Sequence, residues 1–391
     1  MKIRNWKPGL MAFALMIGGI SFCARTHGQA HANPPASVPT FPTTNVARTG
    51  FFYVGGRYVG EPGKEVMDGA MYVEVWVPKT IRHPYPVVFF HGAAQTGTNW
   101  LQTPDGRPGW AYYFTDEGYV IYMVDQPARG RSPYVPGVDG DLTTMTTALE
   151  EQMFTDESRQ GTWAQAKKQT QWPGAGANTG RKGDPVFDAF YATQVQYLAS
   201  VAKTQKLVQD AGAALLDKIG PAVLVTHSQA GTFGWLIADA RPKLVKGVIA
   251  VEPAGPPLEN VFLGTGAARL WGVTDIPIHY DPPVSDPAEL QTVRQEKPED
   301  PGLIPCWRQK EPARKLTNLE AIPILIVSSE ASYHSVEDHC DAEWLNQAGA
   351  KATRMRLEDA GIHGNGHMMM LEKNNFEIAK LLDQWMQKAV H

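Results

Sequence analysis

Apolar positions along the chain fall into two recurring forms. Short continuous runs bounded by turn residues occur at 86–90, 119–124, 222–227, 245–251 and 322–327. Apolar runs of this length are the mark of strands buried on both faces. Helical spacing, three and four residues between apolar positions, holds over 110–117, 232–240, 336–348 and 371–390. Residues 51–59 and 70–77 alternate instead, so they are expected as strands, with a tight turn or bulge at Gly55-Gly56. A further strand is expected at 353–357. Strand and helix therefore take turns, which predicts the α/β class: a mostly parallel central sheet, flanked by helices reached through right-handed crossovers.

Two stretches break the alternation. Residues 132–217 are too long for a loop and are expected as a helical cap, with Trp163, Trp172 and an amphipathic helix near 195–215. The aromatic residues there, Trp163, Trp172 and Tyr191, either line a pocket or form the cap's own small core. Gly174-Ala-Gly-Ala-Asn-Thr-Gly lies within the cap, but it has one residue too many for a dinucleotide fingerprint and follows no strand. Residues 253–321 form a second, Pro-rich insertion.

The N-terminus follows a different pattern. Lys2, Arg4 and Lys7 precede an apolar run over 9–22, too short for a comfortable membrane span, and Ala30-His31-Ala32 then offers a cleavage site. Residues 1–32 are thus expected as an export signal, with another cut available after Cys23. A flexible tether at 33–50 and one domain over 51–391 would follow, in the periplasm or outside the cell, with no stable membrane anchor after cleavage.

Composition adds limits. At 43% hydrophobic and 19% charged the chain has ample material for a large core, and a formal charge of -4 leaves no basic footprint for nucleic acid. Only Cys306 and Cys340 remain after signal cleavage, and in an oxidising compartment they can form one bridge; the alternative is two buried thiols. They lack metal-site spacing and no H-E-x-x-H occurs, so neither metal nor cofactor is expected.

The candidate chemistry starts at residues 222–231, Ala-Val-Leu-Val-Thr-His-Ser-Gln-Ala-Gly. An apolar strand runs into a small-residue turn with Ser228 at its apex and a helix behind it. Such a turn lifts the hydroxyl clear of the backbone, and the helix N-terminus favours developing negative charge. The match to G-x-S-x-G is degenerate, since Thr226 and Ala230 replace the glycines; an ordinary turn with a surface serine is the plainer reading.

A serine nucleophile needs a base, and the base an orienting acid. The loop before the last helix, Gly361-Ile-His-Gly-Asn-Gly-His367, offers His363 and His367, and His367 stands immediately before the closing segment. Glu252 ends the strand after the serine's helix, where an unpaired buried carboxylate is hard to explain as packing, and Glu330 follows the next strand. Sequence order permits either as the acid. Backbone N–H donors for an oxyanion are expected from Gln229, after the nucleophile, and from Ala93 in His91-Gly-Ala-Ala-Gln-Thr-Gly.

Taken together, these motifs resemble the α/β-hydrolase superfamily over nearly the whole chain beyond residue 33. Asp125-Gln-Pro-Ala-Arg-Gly-Arg-Ser132 is similar to the family's D-x-x-G-x-G-x-S turn. More narrowly, the chain resembles a divergent group of exported bacterial carboxylesterases with H-G-C-C-x-T-G, H-S-Q-S-G, V-E-P-G and H-G-N-S-H-M-M-M motifs. Here these read His91-Gly-Ala-Ala-Gln-Thr-Gly, His227-Ser-Gln-Ala-Gly, Val251-Glu-Pro-Ala-Gly and His363-Gly-Asn-Gly-His-Met-Met-Met. The resemblance implies an α/β-hydrolase fold with a cap, Glu252 rather than Glu330 as the acid, small-molecule ester substrates and a homodimer. Ala93-Ala94 stand where the group has adjacent bonded cysteines, so nothing that depends on that bridge carries over. The expected activity is serine carboxylic-ester hydrolysis through an acyl-enzyme. Lactonase, acyltransferase or cofactor-free haloperoxidase chemistry would use the same three residues, and a non-catalytic binding protein is the remaining alternative.

Overall fold

The computed structural model describes residues 34–391 apart from 36 and 299; the expected export signal at 1–32 lies outside the described residues. Eight strands form the main sheet: β1 (Val46–Val59), β2 (Val66–Pro78), β3 (Val87–Phe90), β4 (Ile121–Asp125), β5 (Ala222–His227), β6 (Val245–Val251), β7 (Pro323–Ser328) and β8 (Lys351–Arg356). Their order is β1-β2-β4-β3-β5-β6-β7-β8. The pairs β1–β2 and β2–β4 are antiparallel and the rest are parallel.

Side-chain alternation explains the continuous apolar runs. Leu224 of β5, Val248 and Ala250 of β6, and Ile324 and Ile326 of β7 face one core layer. Val223 and Val225, Ile249 and Val251, and Leu325 and Val327 face the other. Both faces are covered, so both parities must be apolar. The first layer is completed by α2 (Val201–Ile219), α3 (Gly231–Ala240) and α4 (Asp338–Gln347), the second by α1 (Trp110–Asp116) and α5 (Asn375–Ala389).

Three expectations need correction. The amphipathic helix assigned to the cap is α2, and it is a core helix. Its Val208, Ala211, Leu215 and Leu216 join Val54 of β1 and Leu236 and Ile237 of α3 in one buried cluster. The cap therefore ends before Val201. Gly55 and Gly56 make no turn, because the β1–β2 ladder runs through them without a shift. Gly55, at φ 65°, has another reason to be glycine: a Cβ there would lie 2.9 Å from Ala211 Cα, so α2 could not approach β1. The tether also ends early, since β1 begins at Val46 and pairs Val46 with Pro78.

The cap proper holds Trp163, Trp172, Phe187 and Phe190, all buried in the second core layer. Trp163 Nε1 donates to the carbonyl of Ala331 at 2.6 Å, which seats the cap on the loop after β7. The second insertion carries two small ladders, and a Cys306–Cys340 disulfide ties it to α4 with a Cα–Cα distance of 5.2 Å. Among the described residues no helix is long and apolar enough to cross a membrane.

Candidate active site

Ser228 sits between β5 and α3 with φ 55°, in the left-handed region. A non-glycine residue is held there only where its surroundings over-determine it, and such sites gather at functional positions. Close packing supplies the constraint. A Cβ on Gly231 would lie 2.2 Å from Pro253 Cβ, and one on Gly92 would lie 3.1 Å from Ser228 Cβ. Thr226 replaces the first glycine of the usual pattern, and the room is found across the turn. Gly234 of α3 leaves its own side-chain space to Thr226, whose Cγ2 is 3.2 Å from where a Cβ would stand.

Glu252 closes β6 and shares the unusual backbone, with φ 46°. Its Oε2 accepts from His367 Nδ1 at 2.7 Å and from Ser332 Oγ at 2.7 Å. Its Oε1 accepts from the Ser329 backbone N–H at 2.7 Å and from Ser329 Oγ at 2.5 Å. The loop after β7 thus supplies hydroxyl and N–H donors to a carboxylate that comes from β6. Glu330, in that same loop, meets other partners: Lys168 Nζ at 3.1 Å, His363 Nδ1 at 3.2 Å and the Gly364 N–H at 3.0 Å. His363 is accordingly exposed and belongs to Glu330, not to Glu252.

His367 is 1% exposed and enclosed by rings: Phe154 from the cap at 4.9 Å, Tyr333 at 5.4 Å, His227 at 4.5 Å and His334 at 4.9 Å between centroids. Its backbone is held as firmly. His227 Nε2 donates to the His367 carbonyl at 3.1 Å, and the His367 N–H donates to Glu157 Oε1 at 3.2 Å. One residue earlier the Gly366 N–H donates to Glu372 Oε1 at 2.9 Å. Burial raises Glu157 well above the ordinary carboxyl range, with Glu372 adding to it, and burial pushes Glu372 up to about 8. Both act as buried braces on the His367 loop. Burial also holds His367 well below the ordinary imidazole range, with the His334 charge adding to the effect, so its ring is neutral and can accept a proton.

His334 is the residue that the sequence reading did not single out. Its Nδ1 lies 2.6 Å from Asp338 Oδ1, a second imidazole–carboxylate pair beside the first. Burial alone would lower His334, but the carboxylates of Asp338, Glu252 and Glu337 overcome this and raise it to about 9. The i, i+4 spacing of His334 and Asp338 was visible in the sequence, but a loop-to-helix junction gave no reason to prefer it. One ligand-type atom each from Glu252, His334 and His367 lie within 4.8 Å of one another, but both Nδ1 atoms are taken up by carboxylates.

Ala93, Ser228 and Gln229 line one cavity of about 160 Å³, with His334, Glu337 and Met145 among its other walls. The Ala254 N–H donates to the Ser228 carbonyl at 2.8 Å, joining the acid turn to the serine turn. Arg129, which the sequence reading passed over, is buried and donates to the Gly92 carbonyl at 3.0 Å and to Gln229 Oε1 at 3.2 Å. It thereby fixes the Ala93 loop against the residue after the serine. His91 is buried as well, accepting from the Gln126 N–H at 3.2 Å. Among the described residues Ser228 Oγ makes no hydrogen bond, and resting sites of this kind are often looser than working ones.

A profile of the Alpha/beta hydrolase family matches residues 87–381. The chain is 49% identical over 341 residues to the "Probable secreted lipase phiG" of Fungal sp. (strain ATCC 74256), covering 87% of this chain and 90% of that one. Its fold is similar to that in "The Atomic Resolution Structure of a Novel Bacterial Esterase", with TM-score 0.58 and 23% identity, covering 90% of this chain and all of the other.

Proposed function

The chain belongs to the α/β-hydrolase family, and from that premise we propose that it hydrolyses small carboxylic esters through an acyl-enzyme on Ser228. The observation that carries this reading is the 2.7 Å bond between His367 Nδ1 and Glu252 Oε2, together with a serine held at the apex of a strand-to-helix turn. His367 takes the Ser228 proton as Oγ attacks the ester carbonyl, then returns it to the departing alkoxide. A water repeats the sequence on the acyl-enzyme, releasing the acid and restoring the serine hydroxyl. The N–H groups of Ala93 and Gln229 receive the oxyanion, and Glu252 keeps the imidazole in the tautomer whose Nε2 is free to accept.

The curated relative's description as a lipase supports an ester substrate, and its description as secreted supports export. The narrower likeness to exported bacterial carboxylesterases, and the homodimer it implies, belong to the same reading. Exposed Phe51, Tyr53 and Tyr58 on the edge strand β1 suit such contact between copies. The test is turnover of a short p-nitrophenyl ester by the wild type and by Ser228→Ala. The variant should lose about 10⁶ in kcat; turnover that survives the substitution would remove Ser228 from the chemistry.

A further inference from the structure

One wall of the cavity over Ser228 has no part in the proton relay. His334 and Glu337 line it together with Ser228, Ala93 and Gln229. Each residue is 1% exposed, and each keeps one polar atom without a partner in the protein: His334 Nε2 and Glu337 Oε2. Their remaining atoms are engaged with their neighbours. His334 Nδ1 is 2.6 Å from Asp338 Oδ1 and 3.6 Å from Glu337 Oε1. Unpaired buried polar atoms are costly, and two of them on residues that line one cavity with Met145, Val201 and Leu263 call for a ligand group that satisfies both.

The chemistry of the two atoms selects that group. A carboxylate would be placed against Glu337 and Asp338, and an ammonium against His334 and the neighbouring Arg269. Arg269 is itself engaged, donating to the Pro256 carbonyl, Asn260 Oδ1 and the Glu259 carbonyl. A hydroxyl both accepts and donates, so it can accept from the His334 Nε2–H and meet the Glu337 carboxyl in either protonation state.

We propose that His334 and Glu337 form a hydroxyl-recognition subsite, so that the preferred substrates are esters carrying a free hydroxyl within reach of the reacting carbonyl. This rests on the reading of Ser228 as an ester nucleophile and deepens it to a substrate class. Sites built to bond a substrate hydroxyl discriminate strongly against the analogue lacking it.

The experiment compares kcat/KM within two matched pairs. Ethyl butanoate with ethyl 3-hydroxybutanoate places the hydroxyl on the acyl side, and butyl acetate with 4-hydroxybutyl acetate places it on the alcohol side. The wild type should favour the hydroxylated member of at least one pair by about 10²-fold or more. His334→Phe and Glu337→Met should each bring that ratio to within about threefold of one. Should His334→Phe fail to fold, Glu337→Met alone decides. Ratios near one in the wild type, or a preference that survives both substitutions, overturn the subsite while leaving the esterase reading intact. Hydrolysis of none of the four esters would instead remove the esterase reading, and the subsite with it.

Discussion

Two imidazole–carboxylate pairs lie side by side in this molecule, and they differ in what their second nitrogen can do. In His367–Glu252 the carboxylate is saturated by four donors and the ring is neutral. In His334–Asp338 the bond is as short, at 2.6 Å, but the ring is charged, raised to about 9 by the carboxylates around it. A protonated imidazole cannot accept a proton from serine. The same two residue types therefore yield a base in one place and a fixed cation or hydrogen-bond partner in the other. The difference lies in the balance of burial and charge: burial and the His334 charge prevail at the first ring, while Asp338, Glu252 and Glu337 outweigh burial at the second. Residue identity alone does not tell a neutral imidazole beside a carboxylate from a charged one; the surrounding charge does.

The sharpest way to break this comparison is to remove members of the first pair and their decoys. His367→Ala should cost about 10⁶ in kcat, and Glu252→Gln on the order of 10⁴. Glu330→Gln should stay within a few-fold of wild type, because its carboxylate holds Lys168 and His363 instead. A larger loss from Glu330→Gln than from Glu252→Gln would show that the wrong strand supplies the acid.

The pH dependence sharpens the comparison further. His367 acts only when unprotonated, and burial together with the His334 charge holds it below the ordinary value of 6.5. The acid limb of kcat/KM should accordingly lie below pH 6.5, with full activity above it. Glu252, His334, His227 and Tyr333 are the ionisable groups placed against the ring. His334→Ala removes a neighbouring positive charge and should move the limb upward. A limb that stays put would show that the two rings are not electrostatically coupled.

The smallest effect concerns a buried carboxyl with neither kind of partner. Glu150 is 1% exposed, both its oxygens are unpaired, and burial raises it to about 8. Its folded-state value exceeds the unfolded value of about 4.5, so the stability it retains below pH 4.5 is lost as pH rises through about 8. Glu150→Met should therefore stabilise the fold by on the order of 1–3 kcal/mol at pH 8 and by little at pH 5. Urea melts at both pH values measure the gain, and an equal change at the two would rule out the titration.

The parallel sheet was largely legible in the sequence because burial on both faces writes uninterrupted apolar runs, and β6 was read to the residue as 245–251. The helix α2 was misplaced for a reason of the same kind. Its amphipathic pattern announces one buried face but not which surface covers it, and only Gly55 and Gly212 show how closely β1 and α3 approach. At the candidate site, Ser228 and Glu252 could be named because each ends or follows an apolar strand in an otherwise awkward position, and His367 because it stands in the loop before the last helix. Their supports could not. Glu157 and His334 lie in single helical turns too short to show a period, and Arg129 in the turn after β4; they reach the site only through tertiary contacts. Ser329 and Ser332 were hidden by Glu330, the more conspicuous carboxylate of the same loop.

The central claim is that Ser228 carries the acyl group under control of His367. It is tested most directly by treating the protein with diethyl p-nitrophenyl phosphate and mapping the modified peptide by mass spectrometry. One diethylphosphoryl group on Ser228, with matching release of p-nitrophenolate and no labelling of His367→Ala, is the predicted result. A stoichiometric adduct on another residue, or undiminished Ser228 labelling in His367→Ala, would contradict it.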